Sequence, residues 1–357
     1  MPAPGSLRET RDGFVLVDKP AGWTSHDVVG RMRRLAGTRR VGHAGTLDPM
    51  ATGVLVLGIN RATKLLTYVV GVPKTYAATI RLGQATVTDD AEGEITAAAG
   101  AAGVTEDAVR EGVAALTGNL EQVPSAVSAI KVDGQRAYKR VRDGEDVVLA
   151  ARPVTVSRFT VEALRETTVE AGGAGETVSV LDVDVEVDCS SGTYVRALAR
   201  DLGAALGTGG HLTRLRRLAV GPFRIEHAVA LDQLERDRER GQELRLIDAG
   251  DAAAAVLPSR TVDAAEVAEL AHGRRLPAGS EAGTVAARAQ DGTLAAVLQD
   301  DGRSARPALV LVAPAPNKPA PNKPAPKKPA PKEPAPTDPG ATDPGTTEPG
   351  ATEQPAR

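Results

Sequence analysis

Between Val41 and Leu65 the chain reads VGHAGTLDPMATGVLVLGINRATKL, a glycine-rich loop carrying His43 and Asp48-Pro49 that leads into an apolar strand. Gly42, Gly45 and Gly53 admit backbone angles or close approaches closed to other residues. Pro49 pushes the residue before it out of the helical region, so Asp48 is held on a rigid turn. A carboxylate fixed in this way can serve as a general base or as a nucleophile. The commoner use of an Asp-Pro pair is a turn capped by its own side chain, and composition alone does not separate the two. Aromatic residues make up only 2% of the chain and tyrosine occurs four times, so Tyr76 in KTYAATIRL and Tyr194 in GTYVR carry unusual weight. Arg196 follows at the start of an expected helix, where positive charge is unfavourable and a partner is expected.

The elements that must position these side chains mix helices and strands. Phe14 to Val17 reads as a buried strand ending at Pro20; Thr24 or Ser25 can cap the helix that follows, and Gly37 stops it. GVLVLGIN is a short apolar strand, RATKLLTYVV a helix after an Asn60 cap, and KTYAATIRL alternates with period two as a half-buried strand does. TEDAVREGVAALTG has a Thr105 cap, acidic residues in its first turn and a Gly118 stop. VSVLDVDVEVDC alternates apolar and acidic residues, predicting a long strand with one wet face, and TYVRALARDLGAALG predicts a helix capped by Thr193. The small-residue stretch between Arg165 and Glu176 reads as a hairpin connection. From Pro258 to Val312 short strand-like runs separated by turns predict a small β-rich domain. The spacing is not that of a doubly wound sheet, and no phosphate-binding glycine loop appears, so nucleotide cofactors are not indicated.

The chain of 357 residues has room for one catalytic domain and a smaller one. Cys189 is the single cysteine and the five histidines are scattered, which excludes a disulfide framework and points away from a metal site. No stretch approaches the length of a membrane span and the N-terminus lacks a signal-peptide core, so a cytoplasmic protein is expected. The net charge of -3 conceals two basic clusters, Arg31, Arg33, Arg34, Arg39, Arg40 and Arg214, Arg216, Arg217, Arg224. Such clusters are either solvated faces or the phosphate contacts of a nucleic-acid binder. Beyond Ala313 a repetitive Pro/Ala tract has no side chain large enough to build a core and is expected to be disordered, as are residues 1–12.

HAGTLDPMATGVL resembles the catalytic-aspartate motif of the bacterial tRNA pseudouridine synthases, the TruB family, which modifies uridine 55 in the T loop. GFVLVDKPAGWTSHDVV resembles that family's first motif, KTYAATIRLGQATVTDDAEGE its active-site tyrosine segment, and PSAVSAIKVDGQRAYKRVRDGE its inserted segment. CSSGTYVRALARDLG and HLTRLRRLAVGPF resemble its later motifs. They fall in the family's order over roughly Gly13 to Val229, which chance does not explain.

The resemblance implies an α+β pseudouridine synthase fold, a mixed and mainly antiparallel sheet flanked by helices and loops. It places a catalytic domain over 13–250 with a thumb-like insertion at about 124–150, and a PUA-like RNA-binding domain over 258–312. It also implies a cofactor-free isomerisation on tRNA; the sequence offers no membrane partner, and a monomer is the default expectation. Asp48 matches the catalytic aspartate, which either attacks the ribose or base or removes a ribose proton, and the sequence leaves these open. Arg196 matches its arginine partner, Tyr76 the residue that stacks on the target base, and Tyr194 and Leu215 match others around the uracil. His43 matches the residue that contacts RNA near the flipped base, and Lys19 a supporting residue. The thumb's Lys131, Arg136, Lys139, Arg140 and Arg142, with Arg214, Arg216 and Arg217, are expected to meet phosphates. Two other readings are a non-catalytic RNA-binding factor, which need not keep Asp48, Tyr76 and Arg196 together, and a guide-RNA-dependent synthase, which the bacterial-type insertion argues against.

Overall fold

A computed structural model describes residues 11–125, 131–132, 135–136, 149–171 and 175–314. Residues 1–10, nearly all of the thumb-like insertion with its basic side chains, and the expected disordered tail past Pro314 lie outside the described residues.

The catalytic region is built on one large mixed sheet. Its principal strands are β1 (Gly13–Lys19), β2 (Val41–Ala44), β3 (Thr52–Ile59), β4 (Lys74–Leu82), β5 (Gly118–Gln122), β6 (Arg152–Glu170), β7 (Thr177–Cys189), β8 (Gly210–Val220) and β9 (Val229–Ala230). They run in the order β9, β1, β3, β8, β4, β7, β6, β5, with β2 against β3. Pairing is antiparallel except between β1 and β9 and between β3 and β8. Three helices matter for the site: α1 (Ser25–Ala36), α2 (Glu106–Ala115) and α3 (Val195–Ala205).

Local sequence explains the first of these. Thr24 accepts from the Asp27 amide and Asp27 reaches back to the Thr24 amide, a reciprocal cap, and Gly37 ends the helix in the left-handed region at φ 65°. The segment after β3 departs from expectation. Asn60 sits at φ 53° with its side chain accepting from Thr38, and it falls inside a 3₁₀ turn, Asn60–Leu65, with Ile59 at the cap position, before a short helix, Leu66–Val70. Thr193 does not cap α3 either; its hydroxyl donates to the Ser190 carbonyl, and Tyr194 occupies the cap position. Gly118 opens β5 at φ 106° instead of terminating α2.

The alternating strand β7 shows why its pattern is so regular. Val183, Val185 and Val187 enter the core, at about 1.5 to 3 kcal/mol of burial each. On the opposite face Asp182 pairs with Arg81, Asp184 with Arg165 and Thr79, and Asp188 with Arg158 and Thr75. These half-exposed pairs are worth about 0 to 1 kcal/mol apiece. The valines hold the strand, and the ladder selects its register.

A second sheet, β10 (Ser259–Val262), β11 (Leu276–Pro277), β12 (Gly283–Ala289), β13 (Leu294–Asp300) and β14 (Ser304–Val310), runs in the order β10, β12, β13, β14, β11. One face has a buried cluster of its own, with Val262, Leu270, Leu276, Ala287 and Leu298, and the other shares one with the large sheet. Ala286, Leu294, Val297 and Leu311 pack in one buried cluster with Phe14, Val54, Val56 and Phe223 of the large sheet.

Candidate active site

Asp48 lies on the loop between β2 and β3, and that loop is clamped from below. Lys19, fully buried at the end of β1, donates to the carbonyls of Pro20 at 2.9 Å, Trp23 at 2.5 Å and Pro49 at 3.1 Å. The Gly22 amide donates to the same Pro49 carbonyl at 2.9 Å, and Ser25 bonds both the amide and the carbonyl of Leu47. Burial lowers the Lys19 ammonium to about 8, opposed first by the charge of Asp48. The Asp48 side chain is 37% exposed, open toward a cavity on one side. Its proton affinity is nonetheless raised above the ordinary carboxylate range, chiefly by burial, with Arg196 opposing and Asp90 adding to the rise.

The partner of Asp48 comes from the first turn of α3. Arg196, 5% exposed, places Nε 3.1 Å from Asp48 Oδ2 and Nη1 3.3 Å from Asp90 Oδ2, and donates from Nη1 to the Thr88 carbonyl at 2.9 Å. Asp90 is itself fixed, accepting from the Thr88 hydroxyl at 2.5 Å and the Glu92 amide at 3.1 Å. A cation at a helix N-terminus is thus compensated twice.

These groups face a cavity of about 270 Å³ walled by Asp48, Tyr76, Tyr194, Arg196, Leu215 and Arg217. That is small for a drug-sized ligand and suited to a single base. Tyr76 on β4 lies directly opposite Val187 of β7 and Arg217 of β8. Burial raises its phenol above the usual value, opposed by Arg217, so it is protonated near neutral pH. The Tyr194 backbone is gripped by Gln122, which donates to its carbonyl at 3.1 Å and accepts from its amide at 2.8 Å.

Five of the seven residues singled out in the sequence therefore line one cavity. The other two do not. Lys19 lies beneath the loop, and His43 sits on β2 with its ring edge-on to His26, centroids 5.6 Å apart. Burial, then His26 and Arg217, lower the affinity of His43 for a proton.

Three residues of the site escaped sequence reading. Asp90 stood unassigned in TVTDDAEGE, although a second carboxylate could have been sought for an arginine at a helix start. Lys74 also lines the cavity, its ammonium donating to the carbonyls of Val70 and Val72 at 2.6 Å each. Arg217 was grouped with the phosphate-binding cluster, yet it is 1% exposed. Arg216 is engaged as well, bidentate to Asp18 at 3.0 and 2.7 Å, which leaves Arg214 as the exposed member of that triplet. Among the described residues no group of His, Cys, Asp and Glu is arranged to hold a metal, and no helix is long and apolar enough to cross a membrane.

The fold is that of the pseudouridine synthases. Structures of an H/ACA RNP bound to a substrate RNA containing 2'-deoxyuridine and of a Cbf5-Nop10-Gar1 complex superpose with TM-scores of 0.61 and 0.62. Their sequence identities are 23% and 24%, the matches covering 84% of this chain and 85% of each of theirs. Residues 33–195 match the TruB family pseudouridylate synthase N-terminal domain. Residues 196–250 match the tRNA pseudouridylate synthase B C-terminal domain, and 257–312 the tRNA pseudouridine synthase II C-terminal region. The proteins named tRNA pseudouridine synthase B of Arthrobacter sp. (strain FB24) and Thermobifida fusca (strain YX) are 62% and 53% identical to this chain. Each match covers 84% of this chain, with 96% and 98% of the relative. The chain belongs to the TruB family of pseudouridine synthases.

Proposed function

We propose that this chain isomerises uridine 55 in the T-arm loop of tRNA to pseudouridine, with Asp48 as the catalytic carboxylate. The family supplies the reaction class. The observation that carries the residue assignment is the Asp48–Arg196 pair opening onto a base-sized cavity beside Tyr76.

The reaction breaks the bond between uracil N1 and ribose C1′, turns the base, joins C5 to C1′ and removes the C5 proton. N1, freed from C1′, takes up a proton in place of the one C5 loses, so the nucleotide keeps its composition and the isomerisation needs no cofactor. A uridine stacked in its loop must first flip out, at a cost of about a few kcal/mol. Asp48 acts as a carboxylate, by covalent attack or by taking a ribose proton, and Arg196 favours its charged form against the effect of burial. Tyr76 stacks on the base and stands near C5, Tyr194 and Leu215 enclose the ring, and His43 contacts RNA beside the vacated position. The small sheet serves as the PUA-like RNA-binding domain, and the enzyme works as a cytoplasmic monomer.

The test is Asp48→Asn with unmodified tRNA, read by a pseudouridine-specific chemical label alongside tRNA binding. Product formation should vanish while binding persists; substantial conversion by the variant would overturn the assignment.

A further inference from the structure

Arg217 is the largest side chain buried to below 2% exposure. A guanidinium so placed normally faces a carboxylate. Among the described residues Arg217 has no ion-pair partner, and it donates to backbone carbonyls. Nε donates to the Val54 carbonyl at 2.7 Å and Nη2 to the Gly45 carbonyl at 3.0 Å, and the residue shares the cavity wall with Tyr76.

The loop that carries Asp48 is shaped around this residue. On β8, Arg217 lies opposite Gly53 of β3 on one side and opposite Tyr76 of β4 on the other. Gly53 has φ 102°, and a Cβ there would stand 2.2 Å from the Arg217 carbonyl oxygen. Gly45 has φ 77°, and a Cβ there would stand 3.3 Å from Nη1. Two of the glycines that mark this loop in the sequence thus flank Asp48 and admit Arg217, one at its backbone and one at its guanidinium.

We infer that Arg217 is a positioning residue that ties the Asp48 loop to Tyr76 and so sets the gap across which the uracil is held. The inference rests on the reading of the cavity as the uridine site.

Single-turnover conversion of tRNA by the full-length wild type, Arg217→Lys, Tyr76→Phe and the double variant tests it, with tRNA dissociation constants and thermal midpoints measured in parallel. Arg217→Lys should slow the reaction about 30-fold in the wild-type background but less than about 3-fold beside Tyr76→Phe, with tRNA affinity unchanged within about twofold. Equal losses in both backgrounds, or a loss of tRNA affinity that accounts for the slower rate, would overturn it. Arg217→Met, which removes the buried charge, covers the case in which the lysine variant does not fold. It should be slow while folded; a wild-type rate, or failure of both variants to fold, counts against a positioning role. Inactivity of the wild type itself would instead overturn the proposed function.

Discussion

Arg196 meets Asp48 through Nε, 3.1 Å from Oδ2, while its Nη1 is turned toward Asp90, so two carboxylates share one cation. The arrangement fixes the direction of the guanidinium. A lone Asp48–Arg196 pair could pivot about a single contact, whereas the second carboxylate, held by Thr88 and Glu92, removes that freedom.

Asp90→Asn should therefore slow pseudouridine formation although Asp90 is absent from the cavity wall. Loss of a buried charge partner one residue removed from the chemistry is expected to cost about 10- to 100-fold in single-turnover rate, with tRNA affinity nearly unchanged. A wild-type rate in the variant would show that Arg196 needs only Asp48.

The pH dependence follows from the Asp48 environment. With Asp48 as the proposed catalytic carboxylate, activity should be lost as pH falls through its folded-state pKa, which burial raises above the ordinary value. The acid limb of the rate profile should therefore lie above the normal aspartate range. Arg196 is the strongest influence in the opposite direction. Replacing it with methionine should move the limb of the residual activity further toward neutral pH, and a limb that stays in place would mean another group titrates.

Gly53→Ala should destabilise the protein. The added methyl carbon meets the Arg217 carbonyl at 2.2 Å on a backbone at φ 102°, and overpacking together with a left-handed backbone costs about 3 kcal/mol. A thermal midpoint within about a degree of wild type would show that β8 can yield.

The described residues that line the proposed site lie between Gly45 and Arg217. Ending the chain after Pro314 should leave conversion of tRNA unchanged within about twofold, since the Pro/Ala tract that follows has no side chain able to build a core. A large loss of rate or affinity would assign an RNA or partner contact to the tail.

What could be read from the sequence was what neighbours decide. The Thr24 cap with its Asp27 reply spans three residues, and the valines of β7 announce their face by alternation. Arg196 at a helix start carried its own request for a partner. Other features depended on residues far along the chain. Asn60 lies inside the 3₁₀ turn at φ 53°, held by Thr38, and Arg217 left the basic cluster because Val54 and Gly45, more than 160 positions earlier, take its donors. Asp90 shows the same limit: its role is set by Arg196, 106 positions away.

The core shared by the two sheets bears on how a large substrate is measured. Because Ala286, Leu294 and Val297 interlock with Phe14, Val54 and Val56, the small sheet is no swinging lever; it is a fixed stop on a ruler whose zero is Asp48. Under the proposed function, an RNA gripped at both places would be held at one span, and a uridine a few nucleotides nearer or farther along the same strand would miss the carboxylate without any contact that reads its sequence.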